Sequence, residues 1–167
     1  MTSPSTRSAT RPASRRSAWW SGARAGTCSS RSRPSIPRGA HRLPTGGIDR
    51  DEPILEALIR ETLEETGLHL QARRFLAALT YHDGPAGPPV FHTFAFLLDD
   101  PTGAPITPLD EHEQIEEYIE VPVSELPAVA DRLERIPPDR GPGIPNWDAW
   151  GRFRSHVHRA VHQALTR

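Results

Sequence analysis

The segment "GGIDRDEPILEALIRETLEETGL", Gly46 to Leu68, constrains this chain more than any other stretch. Two glycines open it, apolar residues follow at helical spacing, and Glu61, Glu64 and Glu65 crowd together directly after Arg60. Like charges three and four apart on a helix repel, so an isolated helix gains nothing from them. Pro53 suits the first helical turn, where its missing N–H costs nothing, and Gly67 supplies a C-terminal stop. Ile54, Leu55, Leu58, Ile59 and Leu63 predict a buried stripe. At helical pitch the three glutamates fall within roughly a third of the circumference, away from that stripe. A solvated acidic face is one reading of this trio. The other is a cation site: a bare cluster raises its own pKa values, and hard carboxylate oxygens are what Mg²⁺ prefers.

The full pattern favours the second reading. Gly46 is followed after five residues by Glu52, and after seven more by Arg60-Glu61. Thr62, Glu64-Glu65 and Gly67-Leu68 complete the run. This closely resembles the Nudix box of the Nudix hydrolases, G-x5-E-x7-R-E-U-x-E-E-x-G-U, where U is a bulky apolar residue. Seven specified residues at usages of about 5–7% each coincide by chance on the order of once in 10⁸ to 10⁹ windows. Thr62 departs from the pattern, being polar at an apolar position. Asp49 stands where a glutamate is frequent, Thr45 where a glycine is, and Arg50-Asp51 where the family often turns through Pro-Gly.

The resemblance implies an α/β fold, an α/β/α sandwich around a mixed sheet, with the box as loop, helix and loop. It implies metal-dependent hydrolysis of a nucleoside diphosphate linked to another moiety. Glu61, Glu64 and Glu65 would hold Mg²⁺ or Mn²⁺ with the main-chain carbonyl of Gly46. Arg60 would position Glu61, with Glu52 as its structural partner. The general base varies within the family: Glu61, Glu64 or an acid outside the box serves. "PLDEHEQIEE" offers Asp110, Glu111, Glu113 and Glu116, of which Glu113 is favoured. A Nudix-fold nucleotide-binding or regulatory protein without turnover is the alternative, and the intact glutamates argue against it. A non-hydrolytic prenyl diphosphate isomerase is disfavoured, since Cys28 is the one cysteine and lies in the N-terminal segment. Dimers are frequent in the family, so a homodimer is an open expectation.

Composition bounds the rest. With 167 residues the chain suits one globular domain. A single cysteine excludes an internal disulfide framework and a multi-cysteine zinc site. No apolar run approaches a membrane span, and no secretory signal is visible, so a cytoplasmic home is the default. All 20 basic residues are arginine. Residues 1–42 hold nine of them and no acid, and their Ser/Arg/Pro-rich composition reads as disordered. The Nudix domain is then residues 43–167, ending in an amphipathic helix.

Within it, "LPTGG" reads as a turn, and "RRFLAALTYH" (73–82), "PVFHTFAFLL" (89–98) and "QIEEYIEVPV" (114–123) as strands. Residues 124–136 read as a helix capped by Ser124. The last helix, 146–165, carries Trp147, Trp150, Phe153, Val157, Val161 and Leu165 at steps of three or four. His156, His158 and His162 on it read as a solvated face, and His82 and His92 as packed or surface residues.

The family's strand–turn–strand ahead of the box finds no match in "RRSAWWSGARAGTCSSRS", residues 15–32. A frame slip is one hypothesis that would account for this. Tryptophan has the single codon TGG, so reading "WW" one base upstream yields a run containing valine. With GC-rich codons that frame can read "ALGVVVRGPGGHLLLAEQ", the pattern of the absent strands.

Overall fold

The structure is a computed structural model. It describes residues 40–109, 115, 117–138 and 146–167 in full, and the backbone of 15–22 and 27–32. The element order is β1 (Arg15–Gly22), β2 (Thr27–Ser32), β3 (Thr45–Gly47), α1 (Ile54–Thr66), β4 (Gln71–His82), β5 (Pro89–Asp99), β6 (Glu117–Pro122), α2 (Leu126–Glu134) and α3 (Trp147–Leu165).

Four strands form a mixed sheet in the order β3-β1-β5-β4. Strand β1 runs parallel to β5 and antiparallel to β3, and β4 pairs antiparallel with β5. A second, two-stranded antiparallel ladder joins β2 to β6. Side chains alternate across a strand, and β5 uses both faces. Ala95 joins Leu43, Val121, Leu126, Val129, Leu133, Trp147, Val157 and Val161 in the core beneath α2 and α3. Phe96 and Leu98 pack with Leu58 of α1 on the other side, with Phe94 and Ile54 against them. The sheet therefore lies between helices on both faces, which is the α/β/α sandwich expected.

Strands β4, β5 and β6 and helices α2 and α3 lie where apolar periodicity predicts them, with ends moved by a few residues. Four local expectations are corrected. Thr45–Gly47 is a strand, because the backbone of this turn-like sequence pairs with Ser17 to Trp19. Ser124 sits in a 3₁₀ turn and does not cap α2, whose first residue is Leu126. Pro53 is the residue before α1, extended at ψ 138°, its carbonyl accepting from the N–H of Ala57. The α1 stripe is split: Leu58 is buried, whereas Leu55 and Ile59 are each 53% exposed. The face that α1 turns inward is mainly small and polar, comprising Ala57, Leu58, Thr62, Glu65 and Thr66.

Thr62 resolves the one departure from the box pattern at an apolar position. Its side chain is buried, and its hydroxyl donates to the Leu58 carbonyl one turn back. Thr66 does the same toward Thr62. Such back-bonds satisfy a buried hydroxyl without an outside partner.

Residues 15–22 and 27–32 fill the strand–turn–strand positions despite lacking strand patterning. Ladder bonds come from the backbone, so a slot between β3 and β5 can hold a chain whose side chains do not suit it. The expectation of disorder over residues 1–14, 23–26 and 33–39 falls outside the described residues. Between the helices, Gly151 of α3 faces α2 so closely that a Cβ there would lie 2.0 Å from the Leu133 carbonyl oxygen.

Candidate active site at the first helix

The site is assembled around one cation. Arg60 projects from the middle of α1 and donates through Nε and Nη2 to the two carboxylate oxygens of Glu52, at 2.9 Å each. Its Nη1 reaches Glu61 Oε1 at 2.9 Å and Glu64 Oε2 at 3.3 Å. Nη2 also donates to the Gly47 carbonyl at 3.2 Å. Glu52 is held in turn by the Asp49 amide, which donates to Oε2 at 2.9 Å. The Arg60 hydrogen bond, followed by that amide, keeps the Glu52 carboxyl below its ordinary range. Arg60 is pushed well above its usual value, chiefly by Glu52.

Glu61 is different. Its side chain is 14% exposed, against 42% for Glu64. Burial raises its pKa, outweighing the opposing pull of Arg60, and Glu64 adds to the rise. The Gly47 amide donates to Glu61 Oε1 at 2.9 Å. Gly46 is closer still: a Cβ on it would stand 2.1 Å from Glu61 Cδ. The opening glycine of the box is therefore required by contact, because any side chain would occupy the space of the glutamate.

The C-terminal end of α1 is closed completely. The last four carbonyls of a helix have no partner within it, and here each finds a different donor. Leu63 accepts from Gly67 N at 2.8 Å, Glu64 from Leu109 N at 2.9 Å and Thr66 from Thr107 N at 2.8 Å. The Glu65 carbonyl accepts from Tyr118 Oη at 2.7 Å. Gly67 itself adopts φ 69°, the left-handed stop expected of it.

Of the residues singled out from the sequence, Gly46, Arg60, Glu61 and Glu64 are brought together, with Glu52 added. Glu65 is fully buried, so the trio does not form one solvated face. Glu113, with Asp110, Glu111 and Glu116, lies outside the described residues. His82 and His92 use their Nδ1 atoms within the β4–β5 hairpin, on the Gly87 carbonyl and the Thr80 hydroxyl. His158, read as solvated, is fully buried. Its neighbours Val157 and Val161 carry the apolar stripe, and i,i+4 spacing alone gave no sign that His158 shares their side.

Among the described residues no group of three carboxylate, imidazole or thiol side chains is placed to hold a metal ion. The donor set nevertheless fits a hard divalent ion. Glu61 and Glu64 offer hard oxygen donors side by side on Arg60, and Mg²⁺ is usually held by one or two carboxylates with water and phosphate completing its shell. No helix among the described residues is long and apolar enough to cross a membrane.

Comparison with known proteins agrees with the fold. The model of the NUDIX domain matches residues 28–146. A NUDIX hydrolase from Nitrosomonas europaea superposes with a TM-score of 0.54 at 23% identity, covering 74% of this chain and 82% of that one. An ADP-ribose pyrophosphatase from Streptococcus suis gives 0.55 at 16% identity, with 92% of each chain covered. A UDP-X diphosphatase gives 0.57 at 12% identity, covering 94% of this chain and 66% of that one. No curated protein sequence matches. With the domain match spanning most of the chain, the box included, this chain belongs to the Nudix hydrolase family.

Proposed function

We propose that the protein is a metal-dependent pyrophosphohydrolase acting on a nucleoside diphosphate linked to another moiety. The observation that carries this is the charge imbalance around Arg60: one guanidinium serves Glu52, Glu61 and Glu64, and Glu61 is largely removed from water. Buried carboxylates in excess are costly unless a cation joins them.

Glu61 and Glu64, with Glu65 and the Gly46 carbonyl, would hold Mg²⁺ or Mn²⁺. Such an ion, when bound, offsets the charge of the diphosphate and makes a water more acidic. The chain's own residues do the rest. Arg60 fixes the Glu61 carboxylate from one side while the Gly47 amide fixes it from another. Glu52 holds Nε and Nη2 of Arg60, which directs Nη1 toward Glu61 and Glu64. A carboxylate takes the proton of the attacking water. Glu113 is our choice for this role, because the chain enters 110–114 from Leu109, whose amide is bonded to the Glu64 carbonyl. Glu61 and Glu64 are the other candidates.

The test is incubation of purified protein with Mg²⁺ and a panel of ADP-ribose, nucleotide sugars, dinucleoside polyphosphates and nucleoside triphosphates. Release of phosphate-containing products that is abolished by Glu64→Gln supports the proposal. Ligand binding without turnover in every case, with metal present, would overturn it in favour of a binding protein.

A further inference from the structure

We propose that His158, far from the box in sequence, is a positioning residue for it, holding the segment from which Gly46 and Gly47 meet Glu61. The inference rests on the metal reading of that site and deepens it.

His158 lies on α3 and is fully buried. Its Nε2 is 3.1 Å from the Leu43 amide, and its Nδ1 is 2.9 Å from the Arg154 carbonyl. An amide can only donate and a carbonyl can only accept. Nε2 is therefore the bare nitrogen and Nδ1 carries the proton, so two backbone groups select the tautomer between them.

The need for an acceptor here follows from the ladder. Strand β3 pairs with β1 only from Thr45 onward. Residue 44 is proline and has no N–H. Leu43, whose side chain is buried in the same core as Val157 and Val161 of α3, carries its amide into the interior with it. A third valine-like residue at 158 would pack as well but would leave that amide without an acceptor. Histidine supplies it and anchors the chain three residues ahead of Gly46. Arg42 adds a second clasp, its Nη1 donating to Thr45 Oγ1 at 2.6 Å.

The tolerance of the site gives this anchor functional weight. Gly46 approaches Glu61 so closely that no side chain fits between them, and the Gly47 amide is one of the groups fixing the Glu61 carboxylate. A segment freed at Leu43 changes both contacts. The C-terminal helix thus belongs to the working site through Leu43.

The experiment compares the full chain with H158Q, whose amide oxygen can still accept, and with H158L and H158A, which cannot. Mn²⁺ affinity is read by electron paramagnetic resonance, and exchange of the Leu43 amide by hydrogen–deuterium exchange. The expected result is Mn²⁺ binding weakened about 10–100-fold in H158L and H158A, the range for partners that orient a ligand, with faster exchange at Leu43. H158Q should restore most of both. If the apolar variants lose melting temperature but bind Mn²⁺ as the parent does, His158 is a core residue only and the inference falls. Should H158L not fold, H158A and H158Q carry the same comparison. If the parent itself takes up no Mn²⁺, it is the metal reading that fails, and unchanged Leu43 protection separates that outcome from the first.

Discussion

Arg60 grips Glu52 with two parallel hydrogen bonds of 2.9 Å, so the guanidinium plane is set from outside the helix that bears it. Paired N–H donors on a carboxylate give orientation as well as energy. The third nitrogen is then left to Glu61 and Glu64.

Glu52→Gln should therefore act on the site through Arg60. Kinetic titration with Mg²⁺ should show activation weakened about 10–100-fold, the usual effect of losing a partner that orients a ligand, with little change in melting temperature. Arg60→Lys should behave like a loss, because an ammonium cannot reproduce the forked contact. Full activity in either variant would remove Glu52 and Arg60 from the account.

Gly46→Ala should be more damaging than its size suggests. The added methyl would overlap Glu61, which must move or push β3 away. Misplacement by about 1 Å can cost on the order of 10²-fold in rate. Gly47→Ala is the control, since its Cβ would meet Glu61 only at 3.8 Å. Equal rates for the two variants would refute the contact.

Stability should respond to His158 in weakly acidic solution. Burial, then the charges of Arg154 and Arg42, lower its pKa from 6.5 to about 4. The folded state binds the proton less readily than the unfolded chain. Its contribution is therefore complete above about pH 6.5, declines as pH falls toward 4, and changes no further below that. The span corresponds to about 3 kcal/mol. Urea denaturation of the parent and H158L across pH 7 to 4 should converge as pH falls. Parallel curves would contradict this.

Strand β1 offers a test of the frame-slip hypothesis. A strand paired on both sides, between β3 and β5, is best served by an apolar run, and "RRSAWWSG" is not one. Replacing residues 15–32 by "ALGVVVRGPGGHLLLAEQ" should raise stability by at least about 3 kcal/mol, the worth of two buried valines. No gain in thermal unfolding would end the idea, as would a gene whose codons cannot encode those strands.

The box helix, the β4–β5 hairpin and the terminal helix were legible because each carries a long apolar period or a specific spacing. What escaped has physical reasons. Leu55 and Ile59 satisfy the helical period as well as Leu58 does, but α1 approaches the sheet through small residues, leaving the larger ones outside. Turn-forming composition concealed β3, whose pairing depends on a distant strand. The burial of His158 was invisible because its value lies in a backbone amide 115 residues away. Arg60's link to Glu52 was expected from the family pattern; the depth of Glu61 beside Gly46 was not.

Glu64 is grasped at both ends, its side chain by Arg60 and its carbonyl by Leu109. A displacement of Leu109 is conveyed along one peptide to the helix that carries the acids. The segment that delivers Leu109 and the helix that carries the acids are thus pinned at a single residue, and a mutation that shifts one displaces the other.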